Sequence, residues 1–198
     1  MKPTVSLSKN GKNLFHDKKG QDGLSKVGWE FIDKILNRAP DLCLLINSSV
    51  NAYRRLDPNF EAPNQIKVSA NDRGSMIRIP LGNEKTARIE IRSVAPDSNP
   101  YLALFGIIKT GLEDKTPKPE NEKRARLRFL PGNINDAIRI YKASDYITDI
   151  LGESAKEKYV EHKLAAAHRN PRELGASVKD AEVLYHHEVT NQYLWNQF

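Results

Sequence analysis

Three stretches decide how this chain folds: NAYRRLDPNFEAP at 51–63, NDRGSMIRIP at 71–80 and NEKTARIEIRS at 83–93. Arg55, Arg73, Arg78, Arg88 and Arg92 stand in them among apolar residues that alternate with polar ones, the pattern of half-buried strands. IKVSA, SMIRIP and ARIEIRS are expected as strands, with loops between them and a loop over 51–63. Guanidinium groups projected from strands form a rigid, forked donor set suited to phosphate and carboxylate groups.

In ARIEIRS, Arg88, Glu90 and Arg92 fall at i, i+2 and i+4 and share one strand face. Two readings fit that face. Either it is solvated and its charges pair along the strand, or Glu90 binds a divalent cation beside arginines that bind phosphates. Arg73 and Arg78 are an odd number of residues apart and cannot share a strand face; Arg73 reaches from the loop while Arg78 points out of the sheet. Glu61 sits between Pro58 and Pro63, which fix the backbone around it, as a flap residue or general base requires; taken alone, the spacing favours an exposed loop glutamate.

Outward from this segment the chain turns helical. Ser25 caps a helix to Arg38, with Val27, Phe31, Ile32, Ile35 and Leu36 as its apolar stripe and Pro40 as its stop. A short apolar helix follows from Asp41 to Ile46. Asn99 and Pro100 open another that runs through Ile108 and ends near Gly111. After Pro131, NINDAIRIY, DYITDILG, SAKEKYVEHKLAAAHRN and SVKDAEVLYHHEVTNQYLW all carry helical periodicity. SLSKNGKNLFHDKKGQDG, at the amino-terminal end, is punctuated by Asn-Gly, Lys-Gly and Asp-Gly and should give a strand end and turns. The expected class is α+β: a small antiparallel sheet with packed helices and a helical carboxy-terminal portion, one unit over 1–198 without repeats or linkers.

The 198 residues are enough for a real core, and 39% hydrophobic with 28% charged is ordinary for a globular protein. Cys43, the single cysteine, excludes an internal disulfide and lies in DLCLLI as a core residue. The longest apolar run, Leu42 to Ile46, is too short to cross a bilayer, and the chain opens with no charged-then-apolar leader, so no membrane partner and a cytoplasmic location are expected. The net charge of +6 is compatible with nucleic acid, with an anionic small ligand or with nothing specific. The basic run KRARLR at 123–128 reads as a solvated edge, and no zinc-finger spacing or RNA-recognition signature supports a nucleic-acid partner. His162 and His168 are six residues apart on different helix faces, and adjacent His186 and His187 splay by about 100° on a helix, so none forms a zinc pair.

SLSKNGKNLF, the GLS before the first helix, INSSVNAYRRLDPNFEAP, NDRGSMIRIP, ARIEIRS, NPYLAL and LPGNINDAI, in this order, resemble consecutive blocks of the carboxy-terminal part of bacterial-type glutamine synthetase. The resemblance implies a partial catalytic domain of guanido kinase-like fold, from an enzyme that joins ammonia to glutamate through a γ-glutamyl phosphate made from ATP. It implies roles residue by residue. Glu61 matches the flap glutamate that takes a proton from ammonium, and Arg55 the arginine on the substrate carboxylate. Arg73 and Arg78 match arginines on the γ-phosphate and nucleotide phosphates, and Arg92 the arginine near the γ-carboxyl group. Ser6, Lys85 and Arg88 match nucleotide contacts, and Glu90 a ligand of Mg²⁺ or Mn²⁺.

There are departures. Lys2 and Thr4 stand where the family carries histidines, the first of them a metal ligand. The amino-terminal β domain, the first half of the catalytic domain and the other metal-binding glutamates have no counterpart in this sequence. The family's site lies between neighbouring subunits and borrows from that missing domain. The expectation is a chain that is not a competent ligase alone. The alternative is a non-catalytic partner that forms homo-oligomers, or joins a full-length synthetase or a separate amino-terminal half, through an exposed sheet edge.

Overall fold

The computed structural model describes residues 2–56, 62–115 and 128–168, with the backbone alone of His168. In chain order the strands are β1 (Thr4–Val5), β2 (Ser8–Lys9), β3 (Lys12–Asn13), β4 (Gln65–Ser69), β5 (Ser75–Arg78) and β6 (Ile89–Ile91). The helices are α1 (Lys26–Asn37), α2 (Ala39–Ile46), α3 (Val50–Arg55), α4 (Pro100–Glu113), α5 (Ile134–Ala143), α6 (Asp145–Leu151) and α7 (Glu153–His168). The carboxy-terminal helix expected in SVKDAEVLYHHEVTNQYLW, with His186 and His187, lies outside the described residues, as does most of KRARLR.

Local chemistry accounts for the helix boundaries. Ser25 accepts from the Gly28 N–H at 3.2 Å and donates to the Leu14 carbonyl at 2.5 Å, so one hydroxyl caps α1 and ties it to the amino-terminal segment. Pro40 ends nothing by itself: it sits in the first turn of α2, where its missing N–H costs no hydrogen bond. Asn99 caps α4 by accepting from Tyr101 and Leu102, and α4 runs on to Glu113, beyond the expected stop at Gly111. Asn10 and Gly11, both at positive φ, form the tight turn of the β2–β3 hairpin.

Two expectations need correction. The segment 51–55 is helical rather than a loop: Ser49 accepts from the Ala52 N–H, and Ala52, Tyr53 and Leu56 are buried at helical spacing. The sheet, in order β1-β6-β5-β4, is mixed rather than antiparallel, because β4 runs parallel to β5. Parallel neighbours ordinarily need a long crossover, whereas here the short Ala70–Gly74 connection suffices. Ser69 Oγ accepts from the N–H groups of Asn71 and Asp72, and Asp72 Oδ1 from that of Gly74 at 2.7 Å, so side chains hold the sharp reversal.

The core lies between sheet and helices. Ile77, Ile89 and Ile91 are fully buried in the same core cluster as α2, whose residues 42–46 are all buried as well. Glycines let α4 come close: a methyl group on Gly106 would stand 3.2 Å from Leu45, and one on Gly111 only 2.1 Å from the Phe31 ring. Tyr141 of α5 is inaccessible to solvent and packs against Tyr159 of α7, centroids 5.5 Å apart.

Cys43 is buried as expected, and burial pushes its thiol up from 9.0 to about 12. It should therefore resist a thiol-alkylating reagent at pH 8 in the native chain and react fully in denaturant; rapid native labelling would contradict the packing. Gly111→Ala should cost about 1–3 kcal/mol through overpacking against Phe31, read as a lower urea midpoint at unchanged slope.

Candidate functional site

β6 carries two kinds of residue in strict alternation. Ile89 and Ile91 enter the core, and Glu90 lies on the opposite face. Cross-strand register then sets a polar row: Thr4 of β1 pairs with Glu90, Glu90 with Arg78 of β5, and Arg78 with Ser69 of β4. Glu90 Oε2 lies 3.5 Å from Arg78 Nη1, and its Oε1 3.8 Å from Arg92 Nε. The side chains of Glu90 and Arg92 are each 14% exposed, whereas that of Arg78 is 47% exposed. One carboxylate is thus held between two guanidinium groups, one half-sunk and one facing solvent.

Arg92 is fixed further. Its Nη1 donates to the carbonyls of Arg73 at 2.6 Å and Asp72 at 3.3 Å, which joins the strand end to the β4–β5 connection. Arg73 stands exposed in that connection, off the strand, as its spacing from Arg78 required. Asp72 in turn bonds Lys67 Nζ at 2.5 Å; that bond, with the one from Gly74, holds its carboxyl below the usual carboxylate range.

Arg55 belongs to α3, not to a strand, and its guanidinium turns toward the backbone. Nη2 donates to the Ser93 carbonyl at 2.6 Å and Nη1 to that of Arg92 at 3.4 Å, while Nε is buried without a partner. Burial lowers its pKa, and the carboxylate of Asp97 works against that. Arg55 therefore braces the segment after β6 through two carbonyls.

The remaining candidates are more peripheral. Arg88, just before β6, bonds the Thr86 carbonyl at 2.9 Å. Lys85 is exposed in the turn built on Asn83, whose Oδ1 accepts the Lys85 N–H. Ser6 is exposed after Val5, whose strand partner Ile89 follows Arg88, so Ser6 and Arg88 mark the same end of the β1–β6 pair. Glu61 lies outside the described residues. The structure brings together Arg78, Glu90 and Arg92, joins Arg92 to the backbone carbonyls of Asp72 and Arg73, puts Arg55 behind Arg92, and leaves Lys85 apart.

A divalent cation takes about six oxygen donors. Here both Glu90 oxygens face guanidinium groups, and the described residues contain no cluster of three His, Cys, Asp or Glu side chains. These residues as arranged do not fit such an ion. Three polar features had no legible signal in the sequence: the Asp72–Lys67 pair, the hydrogen bond from Ser49 to Asp97, and a buried lysine, Lys163, on α7.

Residues 1–183 match the family described as glutamine synthetase, catalytic domain. The chain belongs to that family. Its relatives include a glutamine synthetase of Thermotoga maritima, 37% identical over 90% of this chain and 43% of the relative. That of Thermococcus kodakarensis is 38% identical over 84% of the chain and 37% of the relative, and that of Halobacterium salinarum 35% over 80% and 38%. The chain thus spans about two fifths of the length of these glutamine synthetases. Among the described residues no helix is long and apolar enough to cross a membrane.

Replacing Glu90 tests the clamp directly. Glu90→Gln should cost roughly 1 kcal/mol of stability, since the pair is only partly buried. It should also raise affinity for tripolyphosphate severalfold in metal-free calorimetry, because Arg78 and Arg92 lose their shared counter-charge.

Proposed function

We propose that this chain is the carboxy-terminal portion of a glutamine synthetase catalytic domain, whose sheet face binds nucleotide phosphates and carboxylates but does not complete the ligase reaction alone. The observation that carries this reading is the placement of Arg78 and Arg92 on either side of Glu90, with Arg92 tied to the backbone carbonyl of Arg73. Phosphoryl transfer is catalysed almost entirely by positioning and by positive charge around the moving group, and this face supplies such charge on rigid strands. In this reading Arg73 and Arg78 meet the phosphates and Arg92 the γ-carboxyl group, while Ser6, Lys85 and Arg88 hold the nucleotide. Arg55 acts on the substrate carboxylate only after leaving its backbone carbonyls, and Glu61 serves as the flap base. The guanido kinase-like architecture belongs to the same proposal.

A second reading, association with a full-length synthetase or a separate amino-terminal half, is favoured by two surfaces. Beyond β1 the sheet has no further strand among the described residues, whereas β4 at the other edge is bridged by Phe129. On α4, Tyr101 is 83% exposed, and Leu104, Phe105, Ile108 and Leu112 continue the same apolar stripe.

The first reading is open to measurement on the full chain. Metal-free ATP should bind weakly and salt-dependently, and Arg78→Gln with Arg92→Gln should abolish it. Biosynthetic assay with Mg²⁺ or Mn²⁺ should give no glutamine. Robust turnover would overturn the inactivity, and ATP affinity indifferent to both substitutions would overturn the phosphate face.

A further inference from the structure

Two lysines of α7 are buried to the same extent and differ in what they touch. Lys156 and Lys163 are each 6% exposed. Lys156 Nζ donates to Thr148 Oγ1 at 2.8 Å, and that hydroxyl donates in turn to Glu153. Lys163 Nζ makes no hydrogen bond or ion pair among the described residues; it lies over the Tyr159 ring, 5.2 Å from the centroid. Lys163 also lines a cavity of about 620 Å³, with Tyr101 and Leu102 of α4 and Tyr159 and His162 of α7 among its other walls. None of the arginines proposed for phosphate binding lines it.

The groups around Lys163 do little to keep a proton on it. Burial lowers its pKa, and the Asp97 carboxylate opposes that shift without reversing it. Asp97 Oδ2 is engaged by Ser49 and its Oδ1 is sealed from solvent, so neither oxygen pairs with the lysine. Tyr159 donates its hydroxyl to the Leu44 carbonyl at 3.2 Å, and burial pushes that phenol up, so it stays neutral. The rest of the polar lining, Tyr101 and His162 with Ser48, Ser98 and Asn99, contains no carboxylate. An amine desolvated in this way gives up its proton more readily than a solvated one, and its lone pair is then a nucleophile. Unlike Asp97 Oδ1, Lys163 Nζ is not among the sealed polar atoms, so a small molecule in the cavity can reach it.

We propose that Lys163 is a covalent carbonyl-binding site, at which Nζ condenses with an uncharged aromatic aldehyde held in this cavity. The neutral amine attacks the carbonyl carbon, a C–N bond forms and the oxygen takes up a proton. The resulting hydroxyl then leaves as C=N forms, so the two amine hydrogens and the carbonyl oxygen depart as one water. No oxidant or reductant is consumed. The walls select the class: the Tyr101 and Tyr159 rings and Leu102 suit a flat apolar body, and the nearby Asp97 carboxylate disfavours an anionic one. The volume lies within the range of small-ligand sites.

The test treats the full chain, without ATP or metal, with benzaldehyde and cyanoborohydride at pH 7. Reduction fixes each imine as a secondary amine, and peptide mass spectrometry then locates it. Lys163 should be modified severalfold faster than Lys158, which is exposed on the same helix, and Lys156 more slowly than either. The advantage over Lys158 should shrink as the pH approaches about 10.4, where an ordinary lysine also loses its proton. Tyr101→Ala should slow modification of Lys163 and leave that of Lys158 unchanged. 4-Carboxybenzaldehyde should favour Lys163 less than benzaldehyde does. Lys163→Arg should remove this one site and leave ATP affinity unaltered, so failure here is distinct from failure of the phosphate-binding reading. Should that variant not fold, the ranking of the three lysines within the unaltered chain decides by itself. Lys163 no faster than Lys158 at pH 7, Lys156 as fast as Lys163, a preference indifferent to Tyr101→Ala, or one equal for the anionic aldehyde would each overturn the proposal.

Discussion

Everything else is arranged around the alternation on β6. Ile89 and Ile91 go to a core that contains all of α2 from Leu42 to Ile46, while Glu90 between them faces Arg78 and Arg92. A shift of one residue in the pairing with β5 would send Glu90 into that core and turn both isoleucines outward. Register is therefore enforced by burial, and the polar row from Thr4 through Glu90 and Arg78 to Ser69 follows without separate specification. The same strand fixes the foundation and the chemistry of this face.

Much of this was legible in the residues. The caps Ser25 and Asn99, the buried Cys43 and the shared face of Glu90 and Arg92 follow from local rules of spacing and hydrogen bonding. The parallel pairing of β4 and β5 was not legible, because it depends on how Ser69 and Asp72 fold the connection back, and short loops ordinarily signal an antiparallel turn. The helix at Val50–Arg55 was hidden for a related reason. Its cap, Ser49, is secured by Asp97, which is remote in the chain. Of the two strand-face readings, the paired charges match the observed Glu90 contacts, since both of its oxygens meet arginines.

The orientation of Arg55 shows what the neighbourhood of a site can hide. From the sequence it is one more guanidinium among several. In the fold it is half-buried and bonded to the carbonyls of Arg92 and Ser93, which positions the exit of β6 and hence Arg92 itself. Asp97 then sits where it influences both Arg55 and Lys163, so one carboxylate biases cations on α3 and α7.

The charge balance also constrains any completing partner. The face around Glu90 presents Arg78 and Arg92 on either side of a single carboxylate, in a chain of net charge +6. Bringing in a triphosphate together with divalent cations requires more oxygen donors than Glu90 provides, and each added cation would be repelled by the guanidinium groups unless carboxylates arrived with it. On the proposed reading, what completes this half must therefore be acidic where it meets β6 and apolar where it meets α4. Those two demands describe such a partner far more narrowly than exposed hydrophobicity alone could.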